Sequence, residues 1–72
     1  MKSMLAEYFK DPEHSFLEFR FENLNLLHLA VEYLCNNGGI YEALRAAGRS
    51  EQFRYMVRED LYLLTVILDQ AP

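Results

Sequence analysis

The sequence predicts an all-α fold: a single helical domain over residues 1–72 with four helices. Apolar residues recur at heptad spacing in the first half of the chain, glycines separate two helical stretches, and a second apolar stripe follows them. A chain of this length buries a modest fraction of its surface, and 51% of its residues are apolar. We therefore expect self-association, with a long dimerising helix preceding a helix-turn-helix.

The first two predicted helices cover residues 1–10 and 12–36. Residues 1–10 carry apolar side chains at helical spacing, and Asp11-Pro12 then supplies an N-cap and a first helical residue. Beyond them, apolar positions recur alternately four and three residues apart, which is the spacing of a heptad seam. We expect this seam to form the homodimer interface through Leu17, Phe21, Leu24, His28 and Val31.

A competing pattern lies inside the long predicted helix. Residues 17–22, LEFRFE, alternate apolar and charged side chains with period two, which is typical of a strand. A single strand would have nothing to pair with, and the heptad spacing continues through the segment. The helix is therefore the favoured interpretation, ended by the run NNGG at residues 36–39.

A helix-turn-helix is predicted over residues 39–58, and its last helix continues to about residue 70. Gly38, Ala43, Gly48 and Ser50 match positions of the Fis-type pattern, which this segment resembles. That module occurs in Fis and in the C-terminal domain of bacterial enhancer-binding activators. The resemblance implies a glycine turn between two closely crossing helices and a DNA-reading second helix.

The charge distribution argues against nucleic acid as the partner. The formal net charge is −4, although residues 39–58 hold four arginines against two glutamates. DNA affinity depends on many cationic contacts to phosphate, and Glu51 occupies the first turn of the predicted reading helix. A small homodimeric DNA-binding regulator, using Arg49, Arg54 and Arg58, is the alternative interpretation.

The favoured interpretation is a small acidic regulator that binds another protein and inhibits or modulates it. In size, charge and outline the chain is similar to phage-encoded anti-activators that bind quorum-sensing transcription factors. Aromatic and arginine side chains dominate protein interfaces. The expected partner-binding residues are Phe19, Tyr41, Arg49, Phe53 and Tyr55.

No pattern in the sequence indicates an enzyme, a metal site or a cofactor. His28 and Cys35 are seven residues apart, but zinc requires three or four ligands. The single cysteine fits a reducing compartment, and no apolar run reaches the ~18–20 residues of a membrane span. The sequence therefore predicts a cytoplasmic protein with a protein partner, and a transcription regulator is the expected partner.

Overall fold

The computed structural model describes residues 4–68, which form a three-stranded antiparallel sheet with helices packed on one face. In chain order the elements are α1 (Met4–Phe9), β1 (Phe16–Arg20), α2 (Leu24–Val31), a π-helical extension of α2 (Glu32–Asn36), α3 (Gly39–Ala46), β2 (Phe53–Arg58), a 3₁₀ turn (Glu59–Leu61) and β3 (Leu63–Leu68). The strand order is β1-β3-β2, so the last strand in the chain is the central one.

The strand register places apolar side chains on the face that the helices cover. On β3, Leu64, Val66 and Leu68 are buried, and the residues between them are partly exposed. Leu17 of β1 and Tyr55 of β2 lie opposite Val66 from its two sides. Because side chains alternate along a strand, these residues point toward the helical layer.

The core joins all three helices to the central strand. Its fully buried large side chains are Phe9, Leu27, Ile40, Leu44, Leu64 and Val66. Burying one such side chain stabilises the fold by about 1.5–3 kcal/mol before conformational entropy is subtracted. A domain this small has few of them, so each one matters to its stability.

The prediction of an all-α fold is wrong, and the error begins in the long predicted helix over residues 12–36. Its first part is β1, in the period-two segment, and its second part is α2. Asn23 separates them: its backbone is extended, and its side-chain oxygen accepts a hydrogen bond from the Leu26 amide at 2.9 Å. The strand does have a partner, β3, which lies far along the chain.

The predicted last helix is also wrong, because β2 and β3 form a hairpin in its place. Both helical and strand-like spacings fit this segment, since Phe53, Tyr55 and Val57 also alternate. The β-branched run Thr65, Val66 and Ile67 favours a strand. A strand therefore follows Gly48 where a helix-turn-helix would have its second helix.

Helices do lie within the two short segments predicted to be helical, at α1 and α3. Gly48 ends α3 with φ 73°, and the amides of Gly48 and Arg49 bond to the Arg45 and Leu44 carbonyls at 3.0 and 2.9 Å. This is a Schellman C-cap, which favours glycine. No helix within residues 4–68 is long and apolar enough to cross a membrane.

Candidate functional site

Helix α2 has the composition of a buried helix, but it is buried on one side only. Its sequence is LNLLHLAV, and Leu27 is its one fully buried side chain. Leu26, Leu29 and Tyr33 in the adjoining extension are 43%, 65% and 67% exposed. At 100° per residue they fall within roughly 60° of one another on the solvent side. We call Leu26, Leu29 and Tyr33 the α2 stripe.

The α2 stripe ends at a groove between α1 and α3. Its volume is about 500 Å³, and Tyr33 contributes to its wall. The apolar floor consists of Leu5, Ala6, Leu34, Ala43 and Ala46. Small side chains leave this space open, and Gly39 allows α3 to start against the preceding turn. A Cβ at Gly39 would lie 3.1 Å from the Leu34 Cα.

Acidic groups predominate around the groove. Glu7 and Glu42 contribute to its lining together with one cation, Lys10. Lys10 and Glu7 form an ion pair at 3.3 Å, so these two charges partly offset each other and Glu42 makes the groove lining net negative. Glu32 does not line the groove; its carboxylate accepts hydrogen bonds from the side chains of Asn36 and Asn37 at 3.4 and 3.3 Å. The surface therefore offers apolar contact area with an acidic border.

Three of the five residues predicted to bind a partner come together beside β2. The rings of Tyr41 and Phe53 meet edge to face at 4.9 Å between centroids. Tyr55 lies two residues further along the same face of β2 and is 41% exposed. Phe19 lies on β1 instead, where its ring stacks with that of Phe21 at 6.4 Å.

The fifth of these residues, Arg49, binds the backbone of its own chain. Its Nη1 donates to the carbonyl oxygens of Phe9, Asp11 and His14 at 3.3, 3.2 and 2.6 Å. These carbonyls belong to the end of α1 and the loop before β1. The guanidinium therefore ties that loop to the turn after α3.

The five residues of the predicted dimer seam do not form one helical stripe, because the long helix does not exist. Leu17, Phe21 and Val31 pack against the core of their own chain. His28 is exposed, and its Nε2 lies 2.8 Å from a carboxylate oxygen of Glu59 in the hairpin turn. Leu24 is 38% exposed at the start of α2. The helical form of this prediction is wrong.

The cations proposed for the DNA-binding alternative are dispersed. Arg54 and Arg58 belong to β2, on the face opposite the helices, whereas Arg49 lies beyond α3. Arg58 makes two hydrogen bonds to the Asp60 carboxylate, at 3.1 and 2.8 Å, and these hold the pKa of Asp60 below its usual range. Part of this positive charge is thus neutralised within the chain.

Two backbone hydrogen bonds at the ends of the β1–β3 pair show which backbone groups of β3 face β1 and which face β2. The Leu68 amide donates to the Ser15 carbonyl at 2.9 Å, and the Phe21 amide donates to the Tyr62 carbonyl at 3.0 Å. Antiparallel pairs alternate between hydrogen-bonded and non-hydrogen-bonded. The even-numbered residues of β3 therefore direct their N–H and C=O toward β1, and the odd-numbered residues direct theirs toward β2.

This alternation leaves one side of β2 unpaired. Its even-numbered residues bond to β3, so the outward backbone groups belong to Phe53, Tyr55 and Val57. Within residues 4–68, no backbone or side-chain group from elsewhere bonds to them. Val57 is 36% exposed, since the helical layer does not cover this side of the sheet. We call the outward side of Phe53–Arg58 the β2 edge.

Metal ligands do not converge in the described part of the chain: no group of three or more His, Cys, Asp or Glu side chains is arranged to hold an ion. Cys35 is buried, and this burial raises the pKa of its thiol. A buried thiol of raised pKa is a poor nucleophile.

Comparisons with protein-family models, with curated proteins and with solved structures give no match. The resemblance to the Fis-type module gains no support from them. The four matching residues lie at the start of α3, within it and in the turn that follows it. The surfaces of the chain are therefore what indicates its function.

Proposed function

We propose that this protein binds a basic amphipathic segment of another protein and modulates that protein's activity. The observation that carries the proposal is the exposed α2 stripe. Leu29 and Tyr33 leave about two thirds of their surface in water, although exposing large apolar side chains together is unfavourable. A partner that covers the stripe would remove that cost.

The shape of the surface suits a helix as the bound element. Leu26 to Tyr33 spans two helical turns, roughly 10 Å. Amphipathic helices dock through apolar side chains spaced three, four and seven residues apart. One such side chain would lie against Leu29 and another would enter the groove beside Tyr33.

The charges favour a basic partner. Glu7 and Glu42 line the groove against one cation, Lys10, and the whole chain carries −4. Opposite charge raises association rates and excludes acidic competitors. The DNA-facing surface of a transcription regulator is basic, so occupying it would block DNA access. Such a regulator is the partner that we propose.

Direct binding tests this proposal. A synthetic amphipathic helix with lysines on its polar face is titrated by calorimetry against the wild type and a Leu29→Lys variant. We expect micromolar binding to the wild type and at least a tenfold loss for Leu29→Lys, which removes apolar contact and adds a like charge. Phe16→Lys is the matched control: Phe16 is 55% exposed on the other face of the sheet, and its replacement should leave binding unchanged.

A peptide with the same apolar pattern and glutamates in place of the lysines should bind more weakly. Equal binding of both peptides would refute the charge argument. Equal binding by Leu29→Lys and the wild type would refute the assignment of the α2 stripe. Purified DNA-binding domains of transcription regulators then replace the peptide, and Leu29→Lys should lose the same binding.

A further inference from the structure

The β2 edge is open to pairing with another strand. It is six residues long and contains no proline or lysine, its two arginines lie on the face away from the helices, and Tyr41 of α3 covers only Phe53, at its start. Its outward backbone groups at Phe53, Tyr55 and Val57 have no partner among residues 4–68. Natural proteins seldom leave such an edge open, because it is a template for a further strand.

The side chains on the inner face of this edge are also incompletely covered. Tyr55 and Val57 point toward the helical layer but remain 41% and 36% exposed, whereas Val66 beside Tyr55 is fully buried. Tyr41 of α3 covers Phe53 and is itself 41% exposed. The apolar face of the sheet therefore continues to its open side.

We propose that a second copy of this chain pairs with the β2 edge. The two β2 strands would run antiparallel about a two-fold axis at Tyr55 and join the two sheets into one of six strands. Tyr55 would lie opposite Tyr55 of the second copy, and Val57 opposite its Phe53. The interface would be isologous, as in most homodimers.

Hydrogen bonding selects this register. Same-face pairing about a two-fold axis places the axis at one residue of β2. With the axis at Tyr55, outward groups face one another at three pairs: Tyr55 with Tyr55, and Phe53 with Val57 twice. With the axis at Met56, only the two Tyr55–Val57 pairs remain. The first register forms more hydrogen bonds.

The charges on the other face select the same register. With the axis at Tyr55, Arg54 lies opposite Met56 of the second copy, and Arg58 lies opposite Gln52. An axis at Met56 would place Arg54 opposite Arg58 twice, and an axis at Arg54 would place that residue opposite itself. Like charges directly opposite each other are destabilising. Only the Tyr55 axis avoids them while pairing the whole strand.

This dimer is independent of the proposed function, because it uses none of the residues of the α2 stripe. Leu29→Lys should therefore leave the dimer intact, and disruption of the dimer should leave the stripe exposed. Sedimentation equilibrium of the wild type is the first measurement. A concentration-dependent dimer is expected, and a monomer at every concentration up to the millimolar range would overturn the proposal.

Cross-linking tests the register. In a Cys35→Ala background, Tyr55→Cys places one cysteine of each copy opposite the other. Their Cα atoms would be about 5.5 Å apart, which is within the range of a disulfide. Met56→Cys is the matched control, since residues 56 would be diagonal neighbours roughly 7–8 Å apart. We expect mild oxidation to give a covalent dimer for Tyr55→Cys and at least tenfold less for Met56→Cys. The background variant alone should give none.

The other outcomes are equally informative. Efficient cross-linking of Met56→Cys with little for Tyr55→Cys would overturn the Tyr55 axis. A wild-type dimer in which neither variant cross-links, although circular dichroism shows both to be folded, would overturn the β2 edge as the interface. If either variant does not fold, amide hydrogen exchange of the wild type decides the matter: the Tyr55 and Val57 amides should become slow to exchange as concentration rises, and rapid exchange at every concentration would overturn the proposal.

Discussion

The two edge strands of the sheet differ in how their outward backbone groups are hydrogen-bonded. At the β1 edge, the Tyr8 hydroxyl donates to the carbonyl of Phe16 at 3.0 Å, so a side chain of α1 occupies an outward group of that strand. Arg49 binds the carbonyl of His14 just before the strand. At the β2 edge, no other described residue makes such a bond to the outward groups.

This difference indicates which edge a second copy would pair with. Tyr8 occupies an outward carbonyl at the start of β1, whereas within residues 4–68 the outward groups of β2 are uncovered along the strand, so β2 is the edge that can pair over its whole length. The β1 side is held by Tyr8 of α1 and by Arg49, which bonds to the loop between α1 and β1. Helix α3 precedes β2 at the same separation in the chain, but its Tyr41 contacts the Phe53 ring and, among the described residues, makes no hydrogen bond to the outward backbone groups of β2.

The largest effect that separates the two edges should come from Arg49→Met, which keeps an apolar stem and removes the guanidinium. Three carbonyl oxygens at the end of α1 and before β1 lose their donor. We expect a loss of about 1.5 kcal/mol, at the low end for a hydrogen bond to a charged group, because the side chain is partly exposed. Chemical denaturation measures it.

Arg45→Met is the matched control for that change. Arg45 makes a solvent-exposed ion pair with Glu51 at 2.8 Å and does not bond to a carbonyl of the loop between α1 and β1. Its replacement should leave the denaturation midpoint unchanged, since exposed ion pairs contribute little. Equal effects of the two substitutions would show that Arg49 does not hold the β1 side together.

A smaller effect is expected at Tyr62, in the hairpin that joins β2 to β3. Tyr62 has φ 51°, a left-handed conformation that costs a non-glycine residue about 1 kcal/mol. Its carbonyl also accepts the Phe21 amide, which extends the pairing on the β1 side. Both Tyr62→Gly and Tyr62→Ala remove the ring. The difference between their free energies of unfolding therefore isolates the cost of the left-handed backbone. We expect the glycine variant to be about 1 kcal/mol more stable.

The same pair of substitutions at Leu61 provides the comparison for Tyr62. Leu61 lies in the 3₁₀ turn, where alanine should be the more stable replacement because glycine loses more entropy on folding. Thermal unfolding of the four variants measures both differences. The Tyr62 strain would be disproved by an alanine variant at least as stable as the glycine variant.

Local patterns in the sequence predicted the short helices α1 and α3 but not the three-stranded sheet. The Gly48 turn and α3 follow from residues that are adjacent in sequence. The period-two signal of LEFRFE was visible too, but its partner β3 lies more than forty residues away, and pairing across that distance leaves no local trace. The last segment satisfied helical and strand spacing together, so periodicity alone could not decide it.

The candidate surfaces were predicted in part. The structure does bring Tyr41, Phe53 and Tyr55 together, although on a strand edge and a short helix. The sequence does not single out the α2 stripe, because the heptad spacing predicts one long helix over residues 12–36 whose apolar side forms a dimer seam. One signal could have found it: the LNLLHLAV segment is apolar on nearly all sides, so an amphipathic helix at the surface could not bury all of it.

Amide hydrogen exchange along β2 most directly tests the central claim that this edge is open in one chain and closed by a second. At low concentration, the Arg54 and Met56 amides should exchange slowly because they bond to β3, and those of Tyr55 and Val57 should exchange quickly. At concentrations where the dimer forms, all four should become slow. Rapid exchange of Tyr55 and Val57 at every concentration would contradict the account.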